Sequence, residues 1–563
     1  MAGTRGAVFG AAGWARVRAL LPARADLAAM RRQPRRDVLA GLTVAVVALP
    51  LALGFGVSSG LGAAAGLATA IVAGILAALF GGSHLQVSGP TGAMTVVLVP
   101  IVHQFGPGGV LTVGVLAGLA LIGLALARAG RFARYVPAPV VEGFTVGIAA
   151  VIFLQQVPAA LGVRASHQET VAVGAWHALR AFLDRPHWPT LGIAAFVVVV
   201  MLVGGRWRPG VPFSLLAVGA ATLYVQVAGT DVARIGALPS TLPAPSLAFF
   251  DPSAVPALLT AAGAVAALAA LESLLSATVA DGMTVGSRHD PDRELFGQGV
   301  ANLVTPLFGG LPNSGVIART ALNVRFGARS RLAAVTHAAA LALIMLAAAP
   351  LVAHIPLAAL AGVLLATAIR MVELGSLAVL ARSTRADALI MALTAVATLA
   401  LDLVSAVGIG LVVACLLAIS AIARAVRVEQ VPLDLSDPDR ELLAEHIATY
   451  RLDGPLFFAA AHRCLTELSE VPDVRVLILQ LSRVTTVDGT GARVLRDAVE
   501  RLERVGIAVY VSGIDAAHSR ALESTGVLAR LRVAGRVFDT TPEAVAAARG
   551  YLHRTGMLDL DAA

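Results

Sequence analysis

Apolar runs follow one another with short gaps from about residue 38 to residue 423, and this feature constrains the fold most. The hydrocarbon core of a bilayer is about 30 Å thick, which about twenty apolar helical residues can cross. Hydrophobic residues make up 57% of the 563-residue chain and charged residues only 14%, whereas roughly 25% of a soluble domain is charged. Lipid must therefore be part of the solvent, and we predict an α-helical polytopic membrane protein.

With about twenty residues per span as the template, the sequence predicts about fourteen spans. The predicted spans lie near residues 38–57, 61–80, 88–104, 108–127, 136–157, 189–204, 211–228, 253–280, 295–309, 313–324, 331–353, 356–371, 386–402 and 404–423.

The net charge of +8 comes from arginines that cluster in short loops between the apolar runs. This pattern is typical of a topology signal and not of a nucleic-acid-binding surface. The positive-inside rule then predicts an even number of spans, with both termini cytoplasmic, in a plasma (inner) membrane. We expect no removable signal peptide, because no short apolar stretch with a small-residue cleavage site opens the chain.

The composition changes after about residue 428, where the apolar runs give way to shorter elements. Residues 474–481 and 507–512 are predicted strands, and residues 491–505 a predicted helix between them. Strands that alternate with helices favour a compact α/β domain. We therefore divide the chain into a cytoplasmic segment (1–36), a transmembrane domain (37–427) and a linker with a soluble α/β domain (428–563).

Two apolar runs are short and open on helix-breaking residues, SGPTG at 88–92 and LPNSG at 311–315. Each leaves ten to twelve helical residues, about 15–18 Å, which cannot cross the hydrocarbon core. Each break is third in its own set of seven spans. Paired breaks at matching places indicate a transporter site built from inverted repeats. The alternative is that Gly and Pro only kink packed helices.

Facing half-helices favour an anionic ligand, because helix N-termini present free N–H groups and the positive dipole end. Four side chains near the breaks can add hydrogen-bond donors, namely those of Ser88, Thr91, Asn313 and Ser314. Arg319, just beyond the second break, can add a full positive charge.

Glu272 lies deep in the predicted span 253–280, where a carboxylate costs roughly 3 kcal/mol on insertion scales. Ser276, four residues on, shares its helix face. A carboxylate beside a hydroxyl can bind Na⁺ or a proton, and either would let cation movement drive anion movement. The alternative is a structural acid paired with a buried donor. We expect no other cofactor or metal, and neither cysteine has metal-site spacing.

Five segments carry a family resemblance: DVLAGLTVAVVALP at 37–50, GPTG at 89–92, LESLLSATVAD at 271–281, ELFGQGVAN at 294–302 and GGLPNSGVIARTALN at 309–323. From about residue 36 to 550 the chain resembles the sulfate permease (SulP) family of anion transporters, and its tail resembles the STAS domain of that family. The resemblance implies two inverted seven-span repeats, with a core domain that moves against a gate domain, often within a homodimer.

The resemblance also implies site residues. Substrate would bind between the N-termini of the third and tenth spans, at Ser88, Thr91, Gly92, Gly315 and Arg319. The family's coupling acid falls on Glu272, with Ser276 beside it.

The first half is especially similar to cyanobacterial sodium-dependent bicarbonate transporters, notably at residues 90–97. In those proteins the coupling acid is Asp, whereas this chain has Glu272. Their Gly-Ala-Thr stretch corresponds to Gly315-Val316-Ile317 in this chain. The arginine at position 319 is instead a feature in which the chain resembles the sulfate and chloride transporters of the family. Sodium or proton coupling, and bicarbonate or sulfate as substrate, therefore all stay open.

In the tail, TTVDGTG at 485–491 resembles the loop where anti-sigma-factor antagonists carry a phosphorylatable Ser. Thr490 falls at that position, which implies phosphorylation and a regulatory protein partner. The alternative is a turn that only determines the fold.

The function that fits these features is secondary active transport of a small inorganic anion. Alternatives on the same fold are an uncoupled anion channel or exchanger and a dicarboxylate transporter. We do not expect an enzyme or a sensing receptor, because the sequence has no nucleophile–base arrangement, metal-ligand cluster or phosphate loop. A purine-type permease would share the span pattern but is not expected to carry the tail.

Overall fold

The computed structural model of the chain describes residues 18–163, 170–208, 211–285, 288–401, 403–432, 443, 445–458 and 474–556. The chain divides into two compact units, Met1–Val412 and Val413–Ala563.

The first unit is helical, with two very short strands inside it. Its elements are α1 (Arg24–Met30), α2 (Pro34–Ser58), α3 (Ala63–Phe80), β1 (Ser88–Gly89), α4 (Gly92–Leu126), α5 (Ala138–Leu161), α6 (Val171–Asp184), α7 (Trp188–Trp207), α8 (Phe213–Ala228), α9 (Val255–Gly282), α10 (Pro291–Val304), β2 (Ser314–Gly315), α11 (Ile317–Arg325), α12 (Leu332–Val352), α13 (Leu357–Met371), α14 (Leu374–Ser383), α15 (Arg385–Ala400) and α16 (Leu403–Ala425), the last of which runs into the second unit. Three 3₁₀ segments connect them: Ala129–Tyr135, Pro252–Ala254 and Thr305–Phe308.

Nine helices of the described residues are long and apolar enough to cross a bilayer. Helix α4 covers two predicted spans, and its backbone leaves the helical conformation at Gly106 (φ 69°, ψ −177°). Pro107 follows, and the residue before a proline is pushed away from the helical region. The predicted boundary between the third and fourth spans is therefore present as a sharp break.

Helix α10 differs from the span predicted at 295–309. It has 14 residues, about 21 Å at 1.5 Å per residue, and a 3₁₀ turn continues it. The ten-residue helix α14 was not predicted, and all its residues are at least partly exposed. The number of fourteen spans stays a prediction.

The helices of the first unit pack in two groups. In the core group, α3 and α12 pack on α2, α10 packs on α3 and α4, and α9 packs on α4 and α11. In the gate group, α13 and α15 pack on α5, and α8 and α13 pack on α7. The core group takes the first four and the eighth to eleventh predicted spans, and we identify the two groups with the core and gate domains that the family resemblance implied without assigning spans to them.

The two broken segments meet inside the core group. Strands β1 and β2 pair antiparallel, with Ser88 opposite Gly315 and Gly89 opposite Ser314. Helices α4 and α11 begin directly after them, so the predicted extended segment before each short helix is confirmed.

The protein itself satisfies this extended backbone. The Val316 amide donates to the Val87 carbonyl oxygen at 2.9 Å, and the Val87 amide donates to Thr320 Oγ1 at 3.1 Å. The Gly315 amide donates to Ser273 Oγ at 2.9 Å. Non-helical backbone at membrane depth requires partners of this kind.

Among its described residues, the second unit contains a five-stranded sheet flanked by helices. Its elements are β3 (Arg427–Val431), β4 (Ile447–Leu456), β5 (Val476–Val487), α17 (Gly489–Arg504), β6 (Ala508–Ser512), α18 (Ala516–Ser524), α19 (Val527–Val533), β7 (Val537–Phe538) and α20 (Thr541–Arg554).

The sheet order is β3-β4-β5-β6-β7, with β3 antiparallel and the other pairings parallel. Leu477 and Leu479 of β5 pack in the same cluster as α17, α18 and α19, whereas Val476 and Ile478 pack with α20. Helices therefore cover both faces, as parallel sheets require. The predicted strand, helix and strand are all present.

Candidate functional site between two broken helices

One carboxylate lies where the two broken segments meet. Glu272, in the second half of α9, accepts a hydrogen bond from Thr91 Oγ1 at 2.9 Å and another from Ser314 Oγ, both on Oε2. The Ser314 hydroxyl is also 3.3 Å from Thr91 Oγ1. A residue from each break therefore contacts the same acid, and we call Thr91, Glu272 and Ser314 the carboxylate cluster.

Thr91 has a second function as the N-cap of α4. Its Oγ1 accepts from the Met94 amide at 3.2 Å, which satisfies one of the N–H groups at the helix start. Helix α11 has Val316 at its N-cap and no side-chain cap. The first amides of an uncapped helix have no intrahelical acceptor, so partial positive charge faces the region of the carboxylate cluster.

Helix α9 also holds the second break through two serines. Ser273 accepts from the Gly315 amide, as described above, and Ser276 Oγ donates to Thr320 Oγ1 at 2.9 Å. Ser276 was predicted to lie beside Glu272 as a coupling-ion ligand. Its hydroxyl instead bonds α11, while the hydroxyls that contact Glu272 belong to Thr91 and Ser314.

The two glycines predicted at the site are both positions of close approach. A Cβ on Gly92 would lie 2.3 Å from Ile152 Cδ1 of the gate helix α5. A Cβ on Gly315 would lie 2.1 Å from Gln86 Nε2. Gly92 therefore lies at a contact between core and gate, and Gly315 lies inside the core group.

Arg319 is in the first turn of α11 and is only 2% exposed. Within the described residues, none of its three guanidinium nitrogens has a hydrogen-bond partner. Nη1 lies against β1, at 2.8 Å from the position of a Cβ on Gly89. The guanidinium thus lies against the first break, while the backbone of Arg319 lies in the helix that follows the second break. Burying a charge without a partner costs free energy, so an anion bound beside this guanidinium would be stabilised.

Ser88, also predicted to bind substrate, is 3% exposed and accepts from Gln298 Nε2 at 2.7 Å. Gln298 belongs to a ladder on α10 formed by Glu294, Gln298 and Asn302, four residues apart. Asn302 Nδ2 donates to the Asn313 carbonyl oxygen at 2.9 Å, and the Asn313 amide donates to Asn302 Oδ1 at 2.8 Å. The ladder therefore fixes both breaks to α10.

Glu294 ends this ladder and differs from Glu272 in its donors. The amides of Gly82 and Ser83 donate to its Oε2 at 2.9 and 3.0 Å. The side chains of Gln86 and Gln298 donate to Oε1 at 2.8 and 3.0 Å. All four donors are N–H groups, which cannot accept a proton in return. Glu294 is thus a fixed acceptor, whereas the hydroxyls at Glu272 can donate or accept.

We expect Glu294→Gln to destabilise the protein by about 3 kcal/mol, because the new amide would direct its own N–H groups at buried N–H donors. Thermal unfolding of the detergent-solubilised protein measures this loss. Glu142→Gln is the matched control, since the half-buried Glu142 accepts a single side-chain bond from Ser376 at 2.8 Å. Equal melting temperatures for the two variants would contradict the structural function of Glu294.

In the second unit, Thr490 is exposed in the first turn of α17. Asp488 caps this helix by accepting from the Gly491 amide at 2.7 Å. Thr490 is therefore accessible at a helix N-terminus, where a phosphate would be favoured.

Comparison with known proteins places both parts of the chain. Residues 35–394 match the profile of the sulfate permease family, and residues 443–544 match that of the STAS domain.

Two curated relatives match nearly full length. YvdB of Bacillus subtilis, whose name assigns sulfate transport to it provisionally, is 34% identical over 88% of this chain and 94% of its own. The bicarbonate transporter BicA of Synechocystis is 32% identical over 88% of this chain and 91% of its own.

Solved structures agree in fold. The transmembrane domain of a cyanobacterial BicA matches with a TM-score of 0.61 and 32% identity, covering 68% of this chain and 98% of that one. The murine anion transporter Slc26a9 in the inward-facing state matches with a TM-score of 0.83 over 95% of both chains, at 16% identity, which supports the fold alone. The chain is thus a multi-pass membrane protein with a C-terminal STAS domain, and it belongs to the sulfate permease family.

Proposed function

We propose that the protein is a secondary active transporter of small inorganic anions, of the sulfate or bicarbonate class, that works by alternating access. The observation that carries this proposal is Arg319, a buried guanidinium without an anionic partner among the described residues. Its guanidinium lies against the first broken segment, and its backbone lies in the helix that follows the second. Relatives named as sulfate and bicarbonate transporters support the substrate class.

An anion fits this place for electrostatic reasons. The starts of α4 and α11 add dipole charge to that of Arg319, and Thr91 and Ser314 add hydroxyl donors. Sulfate and bicarbonate both offer several acceptor oxygens to such donors. The residues that we assign to the anion site are Ser88, Thr91, Gly92, Gly315 and Arg319, with Ser88 and Gly315 supporting the backbone around it.

Coupling would pass through Glu272. An ionised carboxylate close to the anion site repels the anion, and neutralising it removes this repulsion. The hydroxyls of Thr91 and Ser314 can donate to a carboxylate or accept from a protonated carboxyl, so the carboxylate cluster accommodates either state. The same oxygens are hard ligands of the type that alkali and alkaline-earth cations bind, so Na⁺ is the second candidate coupling ion.

Alternating access would move the core group against the gate group, and Gly92 lies at their contact. We expect Gly92→Ala to lower the anion uptake rate about fivefold, because its Cβ would displace the terminal methyl group of Ile152, and overpacking against a side-chain end that can shift costs about 1 kcal/mol. Gly123→Ala is the control, since a Cβ at Gly123 of α4 meets nothing within 4 Å. Initial uptake rates per reconstituted protein measure the effect, and equal rates for both variants would contradict it.

Three further features belong to the proposal. The N- and C-termini lie in the cytoplasm, an orientation that the loop arginines support, and the protein resides in a plasma (inner) membrane. The protein works as a homodimer, as the family resemblance implies. Phosphorylation of Thr490, or a protein that docks there, regulates transport, which is consistent with its exposure.

The experiment that tests the proposal is uptake of labelled sulfate and labelled bicarbonate into proteoliposomes with an inward sodium gradient, an inward proton gradient or neither. Uptake that rises with one gradient identifies the anion and the coupling ion. Uptake that follows the anion gradient and ignores both cations would favour the uncoupled channel or exchanger. Absence of uptake of both anions would contradict the proposal.

A further inference from the structure

A cavity of about 270 Å³ lies beside the start of the first membrane helix, and Ala29, Arg32, Gln33, Arg36 and Arg329 line it. Three of these five residues are arginines. The arginines come from the turn between α1 and α2, the first turn of α2 and the loop before α12, so residues distant in sequence form the cavity together.

A buried acid holds the distant arginine in place. Asp37 is fully buried, and its Oδ1 accepts from the Arg329 amide at 2.7 Å and from the Ser330 amide at 3.1 Å. Its Oδ2 accepts from Ser330 Oγ at 2.5 Å. The backbone of Arg329 is therefore fixed to the first turn of α2, beside Arg36.

Arginines outnumber acids in the segment that leads to the cavity. Residues 1–36 contain eight arginines and one acid, Asp26. Asp26 is 7% exposed and bonds Arg293 Nη2 at 2.5 Å. Burial alone would raise the pKa of Asp26, but the hydrogen bond from Arg293 and the charge of Arg331 hold that pKa below its usual value. The one acid of the segment is thus already paired.

The side chains of Arg32, Arg36 and Arg329 form no ion pair with any other described residue. The cavity also adjoins the N-terminus of the 25-residue helix α2, which has no side-chain cap. Both features favour an anionic group in the cavity.

The position of the cavity indicates which anionic group. Leu39 and Leu42 of α2 follow Arg36 within two turns and are 65% and 45% exposed. On a membrane helix, exposed leucines face acyl chains, and arginines at the helix end lie at the level of the headgroups. The cavity therefore lies where polar surface meets lipid-facing surface.

We propose that this cavity binds the phosphate of an anionic phospholipid headgroup in the leaflet next to the N-terminal segment. Arg32, Arg36 and Arg329 contact the phosphate oxygens, since the planar guanidinium matches phosphate geometry. The acyl chains lie along Leu39 and Leu42. This site is separate from the carboxylate cluster and does not depend on the transport proposal.

Thermal unfolding of the full-length protein in a neutral detergent, with added phosphatidylglycerol, phosphatidylcholine or inorganic phosphate, tests the site. We expect phosphatidylglycerol to raise the melting temperature by about 2–4 °C. The triple variant Arg32→Gln/Arg36→Gln/Arg329→Gln should lose more than half of this rise. The triple variant Arg24→Gln/Arg31→Gln/Arg35→Gln, with the same charge change on exposed arginines outside the cavity, should keep it.

Three outcomes would overturn the proposal. Phosphatidylcholine could give the same rise, the two triple variants could lose it equally, or inorganic phosphate at the same phosphate concentration could reproduce it in full. The second outcome would mean that the stabilisation comes from diffuse positive charge and not from the cavity. The third would mean that the cavity binds a soluble anion and not a lipid. If the cavity triple variant is already unfolded in the absence of lipid, the single variants Arg36→Gln and Arg35→Gln make the same comparison.

Discussion

Glu272→Gln is expected to abolish cation-driven accumulation of the anion while the protein stays folded. The amide oxygen of Gln can still accept from Thr91 and Ser314, so the carboxylate cluster keeps its hydrogen bonds, but the side chain can no longer take up a proton or balance a cation. Gln also resembles the neutralised acid, so exchange of anion for anion should persist.

The expected size is a loss of at least about tenfold in the accumulation ratio, which corresponds to about 1.4 kcal/mol of coupling free energy. The measurement is steady-state accumulation in proteoliposomes under the driving gradient, with counterflow in the same vesicles as the readout that should not change. Glu142→Gln serves as the control for removal of an acid from a membrane helix. Accumulation by Glu272→Gln at the wild-type level would remove Glu272 from the coupling mechanism.

Arg319→Gln is expected to weaken the binding of a dianion far more than the binding of a monoanion. The Coulomb energy between a guanidinium and a bound anion scales with the anion's charge. If loss of the guanidinium charge weakens the binding of bicarbonate about tenfold, the Coulomb energy lost for sulfate is twice as large, and the binding of sulfate weakens about a hundredfold.

Competition measures this difference even when only one of the two anions is carried. Unlabelled sulfate or bicarbonate is titrated against uptake of the labelled substrate, and the half-inhibitory concentrations are compared between variant and wild type. Arg325→Gln is the matched control, because Arg325 ends the same helix α11 but is exposed. Equal losses for both anions would count against an electrostatic contact between Arg319 and the substrate.

The arrangement of apolar runs could be predicted because spans and breaks are local features. Apolar length predicts a membrane helix, and the SGPTG and LPNSG segments predict an extended backbone before a short helix. The start of α10 was predicted four residues too late, because a buried polar ladder lowers the hydropathy that identifies a span. Glu294 falls just before the predicted span 295–309, whereas it is buried in α10 with four donors.

The site was only partly predictable for a related reason. Helical spacing indicates which residues share a face, but not which neighbour that face meets. Ser276 shares a face with Glu272 and yet bonds Thr320. Ser314 was expected to donate to the anion, and its contact with Glu272 depends on the pairing of β1 with β2, which joins residues more than 200 positions apart.

Arg319 shows the same limit. Its place beyond the second break was evident from the sequence, but its burial against Gly89 of the first break was not. The spacing of Glu294, Gln298 and Asn302, four residues apart, was the available signal for the ladder that holds both breaks.

The most direct test of anion transport through this unit is counterflow of labelled sulfate and labelled bicarbonate in proteoliposomes. Vesicles loaded with the same unlabelled anion should take up at least one label transiently above its equilibrium level, in the wild type and in Glu272→Gln. Label uptake no faster than in protein-free vesicles, for both anions and with correctly folded protein, would contradict a carrier site between the two broken helices.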